Sequence, residues 1–225
     1  EANSPLAKMA DFVLDIQAGD EKAVAATKTY TAQLMSIAML SAALSGDETR
    51  WDELAQVSNW AAQALSHETL IAQATQRYRY MDQCVVLGRG YNYATAFEWA
   101  LKMKELSYIG SEPYSSADFK HGPLAMVDSG YPVFAVSPKG KVFDSMQGTL
   151  KHLKHDLSAE LVVISNSLAA LELAEVAIPI PESVPEWLSP IISIIPAQLF
   201  SYLLTRAKGY DTEQPRTILK VTETR

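Results

Sequence analysis

The 225-residue sequence predicts an α/β fold: a doubly wound parallel sheet flanked by helices. Three observations carry that expectation. Short apolar runs rich in β-branched residues, "CVVLGRG", "YPVFAVSP", "ELVVISN" and "EVAIPIP", recur from residue 84 onward, as expected of strands covered on both faces. Helical patterns such as "YATAFEWALKMKELSYI" alternate with them, which favours parallel pairing. The first of these strands ends in a glycine pair, "LGRG" (87–90), ahead of a helix, where an open sheet of this kind turns over.

The N-terminal elements come first. "NSPLAKMA" predicts a short helix with Ser4 as N-cap and Pro5 at its first position. "DFVLDI" then predicts a strand. Residues 23–46 predict a long helix, apolar on most faces and so buried on several sides, ended by Gly46. An amphipathic helix from Trp51 to Leu65 follows, and "HETLIAQATQRYRYM" continues the helical character. One strand among helices makes no sheet, so residues 1–75 read as the end of a first domain. Residues 76–225 read as a second domain with a tail. Within it come a strand, a helix, the short strand "SEPYS", the "DFKHGP" loop, a strand and the helix "VFDSMQGTLKHLKHDL". Two further strands lead to an apolar helix over 189–208 that stops at Gly209.

Composition narrows the function. With 26 acidic and 19 basic residues the net charge is −7, and no basic run supports nucleic-acid binding. "SPIISIIPAQLFSYLL" is shorter than the roughly 20 residues a membrane span needs and contains Pro196 and Gln198, so it predicts a buried, kinked helix. The single cysteine, Cys84, lies in a strand, has no metal-ligand spacing and reads as a core residue. That usage fits a reducing, cytoplasmic compartment.

Four features could carry chemistry. In "DFKHGPLAM", Gly122 and Pro123 break regular structure after His121, so a turn presents the imidazole, whether reactive or incidental. Gly88 and Gly90 could admit an anion to a helix N-terminus, or form only a tight turn. Tyr93 stands where a full GxGxxG would have its third glycine. Glu98, Lys102 and Glu105 fall at i, i+4 and i+7 on one helical face. A solvated face of ion pairs is the preferred reading there, with a lysine-supported general base as the alternative. His152 and His155 sit on a charged helix and read as solvated. The closing "YDTEQPRTILKVTETR" reads as a disordered tail, or as a flap that lays Lys220 against a ligand.

Three segments, "EKAVAATKTYTAQL" (21–34), "VLGRGYNYATAFEWALKMKELSYIGSEPYSSADFKHGPLAMVD" (86–128) and "KGYDTEQPRTILKVTETR" (208–225), resemble the sugar isomerase (SIS) superfamily. The similarity is greatest to the isomerase half of glucosamine-6-phosphate synthases and to SIS-type deaminases. The resemblance implies tandem three-layer α/β/α domains, a homodimer, and interconversion of fructose 6-phosphate and glucosamine 6-phosphate without metal or redox cofactor. It implies Glu105 as the base moving a proton between C1 and C2, with Lys102 beside it. It further implies His121 as a ring-opening residue acting across the dimer interface, and Lys220 as a Schiff-base lysine. Backbone near Val24 and Leu219 would line the sugar pocket.

The chemistry fits these residue types. A carboxylate on a rigid helix can reach both carbons of an enediol, and imidazole can give and take a proton near neutral pH. A lysine amine forms an imine that acidifies the neighbouring C–H. The family's SxSGxT phosphate loop is not found, which predicts that its first domain is incomplete here and that the chain alone is not a competent enzyme. "ILKVTETR" is closer to the deaminases than to the synthases' "LAKSVTVE". A regulatory module that binds sugar phosphate without turnover is the rival reading, and an assembly scaffold a third.

Overall fold

The computed structural model describes residues 4–217 and Lys220. Five parallel strands form one sheet in the order β2-β1-β3-β4-β5: β1 (Gln83–Gly88), β2 (Gly110–Ser115), β3 (Pro132–Val136), β4 (Glu160–Ser165) and β5 (Val176–Pro179). β1 pairs with β2 from Gln83↔Gly110 and with β3 from Val85↔Val133, so the strand order reverses across β1 and β3. Every residue of β3 and β4 is buried, which explains their unbroken apolar runs.

Helices cover both faces. In chain order they are α1 (Pro5–Met9), α2 (Lys28–Ser45), α3 (Thr49–Ala55), α4 (Val57–Leu65), α5 (Glu68–Arg77), α6 (Asn92–Ser107), α7 (Ser116–Phe119), α8 (Phe143–His155), α9 (Leu168–Leu171) and α10 (Ser189–Ala207). Cys84, Val86, Phe134, Val136, Val162 and Ile164 point to one face, under α6, α10 and the helices preceding β1. Val85, Leu87, Val133, Ala135, Leu161 and Val163 point to the other, under α8. α10 runs through Pro196, and 78% of the apolar window within Glu186–Ala207 is buried, so it is a core helix of this fold. Trp60 of α4 donates through Nε1 to Ser183, 123 residues away, at 2.9 Å. Cys84 is fully buried beside Ser111, and burial pushes its thiol up to about 12.

Several local expectations hold. Ser4 caps α1 by accepting from the Ala7 amide, with Pro5 at the first position. Gly46 and Gly209 adopt positive φ just after their helices. Two differ. "DFVLDI" (11–16) joins no strand, and Phe12 is 92% exposed. The edges of the sheet are β2 and β5, and a lone extended segment without a partner edge has no ladder to complete. The long helix starts at Lys28 and buries only Ala38 and Ala42, leaving Ile37, Met39, Leu40 and Leu44 exposed.

Candidate active site

α6 is built to be rigid. Its first turn lies so close to β1 that a Cβ on Gly88 would stand 2.2 Å from the Asn92 carbonyl oxygen, so Gly88 serves this approach. Asn92 donates to Ser189 at 2.7 Å and accepts from Thr95 at 3.1 Å. In mid-helix the fully buried Trp99 packs edge-on against Phe134 and Phe200, with centroids 5.1 and 5.9 Å away. The C-terminus closes on Tyr108, whose φ of 57° turns the chain out of the helix.

Next to Trp99 on this anchored helix is Lys102. Its Nζ lies 2.6 Å from Glu105 Oε2 and 3.6 Å from Glu98 Oε1, and its side chain is only 4% exposed. The solvated face of ion pairs is therefore replaced by a buried carboxylate–ammonium–carboxylate array. Burial comes from elements distant in sequence: α2 brings Tyr30, and Gln198 of α10 lies beside Glu98 while donating to the Thr27 carbonyl at 3.4 Å. Burial pushes the Glu98 carboxyl above its usual range, Lys102 pulls it down, and the charge of Glu105 pushes it up again; the net shift is upward. Glu98 Oε1 and the Tyr30 hydroxyl are both buried without a hydrogen-bond partner among the described residues. Burial and the nearby Glu98 push the Tyr30 phenol up to about 12.

A groove of about 770 Å³, lined by Tyr30, Tyr93, Phe97, Glu98 and Leu101, meets this array at Glu98, while Lys102 and Glu105 do not line it. Glu105 is the member most open to solvent, its side chain 26% exposed. Lys102 orients its carboxylate and sets a positive charge beside it. That arrangement suits a base working on a polar substrate.

The C-terminal tail returns to the same helix. Tyr108 accepts from the Arg216 amide at 2.9 Å and carries the Arg216 guanidinium over its ring at 3.9 Å. Lys220 then donates to the Ala23 carbonyl at 2.6 Å, next to Val24. Thus Lys220 and Val24 come together, and the anchored tail runs past the end of α6 that bears Glu105. Neighbouring Glu21 accepts from the Thr29 amide and hydroxyl. Burial pushes its carboxyl up, but these bonds outweigh it and hold the group below the usual range. Leu219 lies outside the described residues.

His121 stands apart. It is exposed on the turn after α7, its amide donates to Asp118 at 3.0 Å, and Gly122 follows at φ 144°. No hydrogen bond or ion pair among the described residues joins it to Glu105, Lys102 or Lys220. Gly90, at φ 58°, lies against Val142 in the turn before α6. His152 bonds Asp156 at 2.6 Å on the surface of α8, and His155 is exposed, as expected. Sequence spacing marked Glu98, but nothing in it pointed to Tyr30 or Gln198, which reach α6 only through the tertiary fold.

Comparison with known proteins shows the family of the fold. A model of the SIS domain matches residues 1–43 and 79–206. The chain belongs to the SIS family. The SIS chain is 38% identical over 222 residues to the glutamine–fructose-6-phosphate aminotransferase (isomerizing) of Thermococcus kodakarensis, covering 95% of itself and 36% of that protein. The corresponding protein of Pseudomonas aeruginosa is 34% identical, with 97% and 37% covered. The SIS chain thus spans little more than a third of these curated relatives. Among solved structures it resembles the C-terminal domain of glucosamine-fructose-6-phosphate aminotransferase from Francisella tularensis, with a TM-score of 0.86 and 31% identity. That match covers 94% of this chain and 62% of the other. A glucosamine-6-phosphate deaminase from Thermotoga maritima shares the fold at a TM-score of 0.77 and 24% identity, with 98% and 64% covered.

Proposed function

We propose that this SIS chain handles an amino-sugar phosphate in an aldose–ketose isomerisation linking glucosamine 6-phosphate and fructose 6-phosphate, with ammonia released or incorporated. The observation that carries the reading is the Lys102 ammonium held between Glu98 and Glu105 on a helix locked to the sheet. In this reading Glu105 moves the proton between C1 and C2 of the open-chain sugar, and Lys102 keeps its carboxylate aimed. Lys220 forms an imine with the ketose carbonyl once its amine leaves the Ala23 carbonyl. His121, exposed and hydrogen-bonded to neither carboxylate, opens the sugar ring in the site of a partner subunit in a homodimer. The backbone around Val24 and Leu219 lines the sugar. The two separately matched stretches support a domain organisation in which residues 1–75 close one SIS unit and 76–225 form a second. The cytoplasm is the expected compartment.

A regulatory module that binds sugar phosphate without turnover is favoured by one observation: the Lys220 amine is already engaged by Ala23. One experiment separates the two readings. Fructose 6-phosphate release from glucosamine 6-phosphate by the full-length protein is followed in a coupled assay, beside calorimetric titration with the same sugar. Glu105→Gln should lower the rate by about 10²-fold or more while binding persists. A rate within a few-fold of the parent removes Glu105 as the base, and binding with no turnover in the parent supports the module.

A further inference from the structure

The groove beside α6 is separate from the carboxylate that the isomerase reading uses, since it reaches Glu98 and is lined by neither Lys102 nor Glu105. Its volume of about 770 Å³ suits a small organic molecule. Tyr93, Phe97 and Leu101 recur every four residues along α6 and form one apolar wall, to which α2 adds Tyr30. The Tyr93 and Phe97 rings meet edge to face, with centroids 4.9 Å apart. Towards β2, Lys104 and Glu112 also line the groove and neutralise one another at 3.5 Å.

Two polar groups of this lining lack partners. Glu98 Oε1 and the Tyr30 hydroxyl make no hydrogen bond among the described residues, and Glu98 is only 8% exposed. A buried polar atom left unpaired is costly, and here two such atoms belong to one groove. Charge adds to the imbalance. Lys102 stands 2.6 Å from Glu105 but 3.6 Å from Glu98, beyond hydrogen-bond reach. One cation serves two carboxylates, and the one it serves less well lines the groove. Burial and the nearby Glu98 push the Tyr30 phenol up to about 12, so it adds an oxygen without a charge.

We propose that this groove is a second ligand site, for an organic ammonium whose apolar body lies along Tyr93, Phe97 and Leu101 and whose charged head meets Glu98 and the Tyr30 oxygen. Each end is matched chemically. Aromatic faces attract a cation as well as apolar surface, and the under-served carboxylate supplies the counter-charge where water screens it little. Entry needs only side-chain rotation, since Phe97 and Leu101 are 50% and 44% exposed. An anion is repelled by Glu98, and a neutral ligand leaves its charge uncompensated. The site stands independently of the isomerase reading.

The test is calorimetric titration of the full-length protein with benzylamine, beside benzyl alcohol and benzoate as neutral and anionic forms of the same ring. Benzylamine should bind at least about tenfold more tightly than either, and Glu98→Gln should remove the preference. A proton competes with the ammonium for Glu98, so benzylamine affinity should fall from neutral to acid pH in the parent and stay flat in Glu98→Gln. The titratable groups around Glu98 are Lys102 and Glu105 of α6 and Tyr30 of α2. Glu98→Gln keeps all three, so a pH dependence lost with it belongs to Glu98. Phe97→Ala changes an exposed side chain, leaves the fold intact by circular dichroism, and should weaken benzylamine severalfold. Failure of benzylamine to bind, equal binding of the three probes, a preference that survives Glu98→Gln, or an affinity unmoved by Phe97→Ala overturns the proposal. Turnover is not read, so the isomerase reading stands or falls separately.

Discussion

Lys102 stands 2.6 Å from Glu105 with its side chain 4% exposed, although three residues of one helix usually place such a pair in water. Its partners depend on it. Lys102→Met leaves the Glu98 and Glu105 carboxylates facing each other without a cation. The expected loss is about 3 kcal/mol of unfolding free energy, moderated by the partial exposure of Glu105. Urea denaturation measures it. Adding Glu98→Gln should restore part of the loss, and a strictly additive double variant would show that the array is not coupled.

Stability should also depend on pH through Glu98. Burial raises its folded-state carboxyl above the usual 4.5, so the native state binds this proton more tightly than the unfolded chain does. The stabilisation is complete below 4.5 and is lost as pH rises through the raised value. The stability of the parent relative to Glu98→Gln should therefore fall between acid and neutral pH. A difference that stays flat, or that grows with pH, contradicts the assignment. Glu160 contributes with the opposite sign. Burial pushes its carboxyl up, but hydrogen bonds from Arg77 and Tyr78 bring it below the usual range, so its contribution is lost as pH falls.

Gly88→Ala tests the seat of α6. The new methyl meets backbone on its near side, 2.2 Å from the Asn92 carbonyl oxygen, with no flexible side chain to give way. Overpacking of this kind costs about 1–3 kcal/mol or more. A thermal melt within a degree of the parent would show that α6 can withdraw freely.

Tyr108 clasps the tail, so Tyr108→Ala should speed limited proteolysis between Tyr210 and Arg216 while leaving cleavage elsewhere unchanged. Tyr108→Phe keeps the ring under Arg216 and loses only the acceptor, so its effect should be smaller. Equal cleavage of all three proteins would mean that the tail is held by other contacts.

The sequence made the sheet readable because every strand from β1 onward except β2 is an apolar run, and a fully buried strand needs nothing else to identify it. "DFVLDI" has the same chemistry but lacks a neighbouring edge, and no property of six residues reports what lies beside them. Periodicity likewise showed that α2 is apolar without showing that Ile37 and Leu44 have nothing against them. For the site, spacing placed Glu98, Lys102 and Glu105 on one face. The groups that bury that face, Tyr30 and Gln198, arrive from 68 residues before and 100 residues after Glu98. Glu186 on the Lys141 amide is a similar case, a contact across 45 residues that no motif announces.

The hydrogen bond from Trp60 to Ser183 has a consequence for the order of assembly. On a ribosome, α4 and α5 emerge long before α10, the helix they pack against, has been made. At about 5–20 residues per second, the 123-residue separation is a delay on the order of ten seconds. Throughout that interval Trp60, Ala64 and Ile71 must wait with their apolar faces uncovered. The sheet gives no early shelter either, since all its pairings are parallel and each crosses over an intervening segment. For this chain, chaperone demand during synthesis should track the arrival of α10.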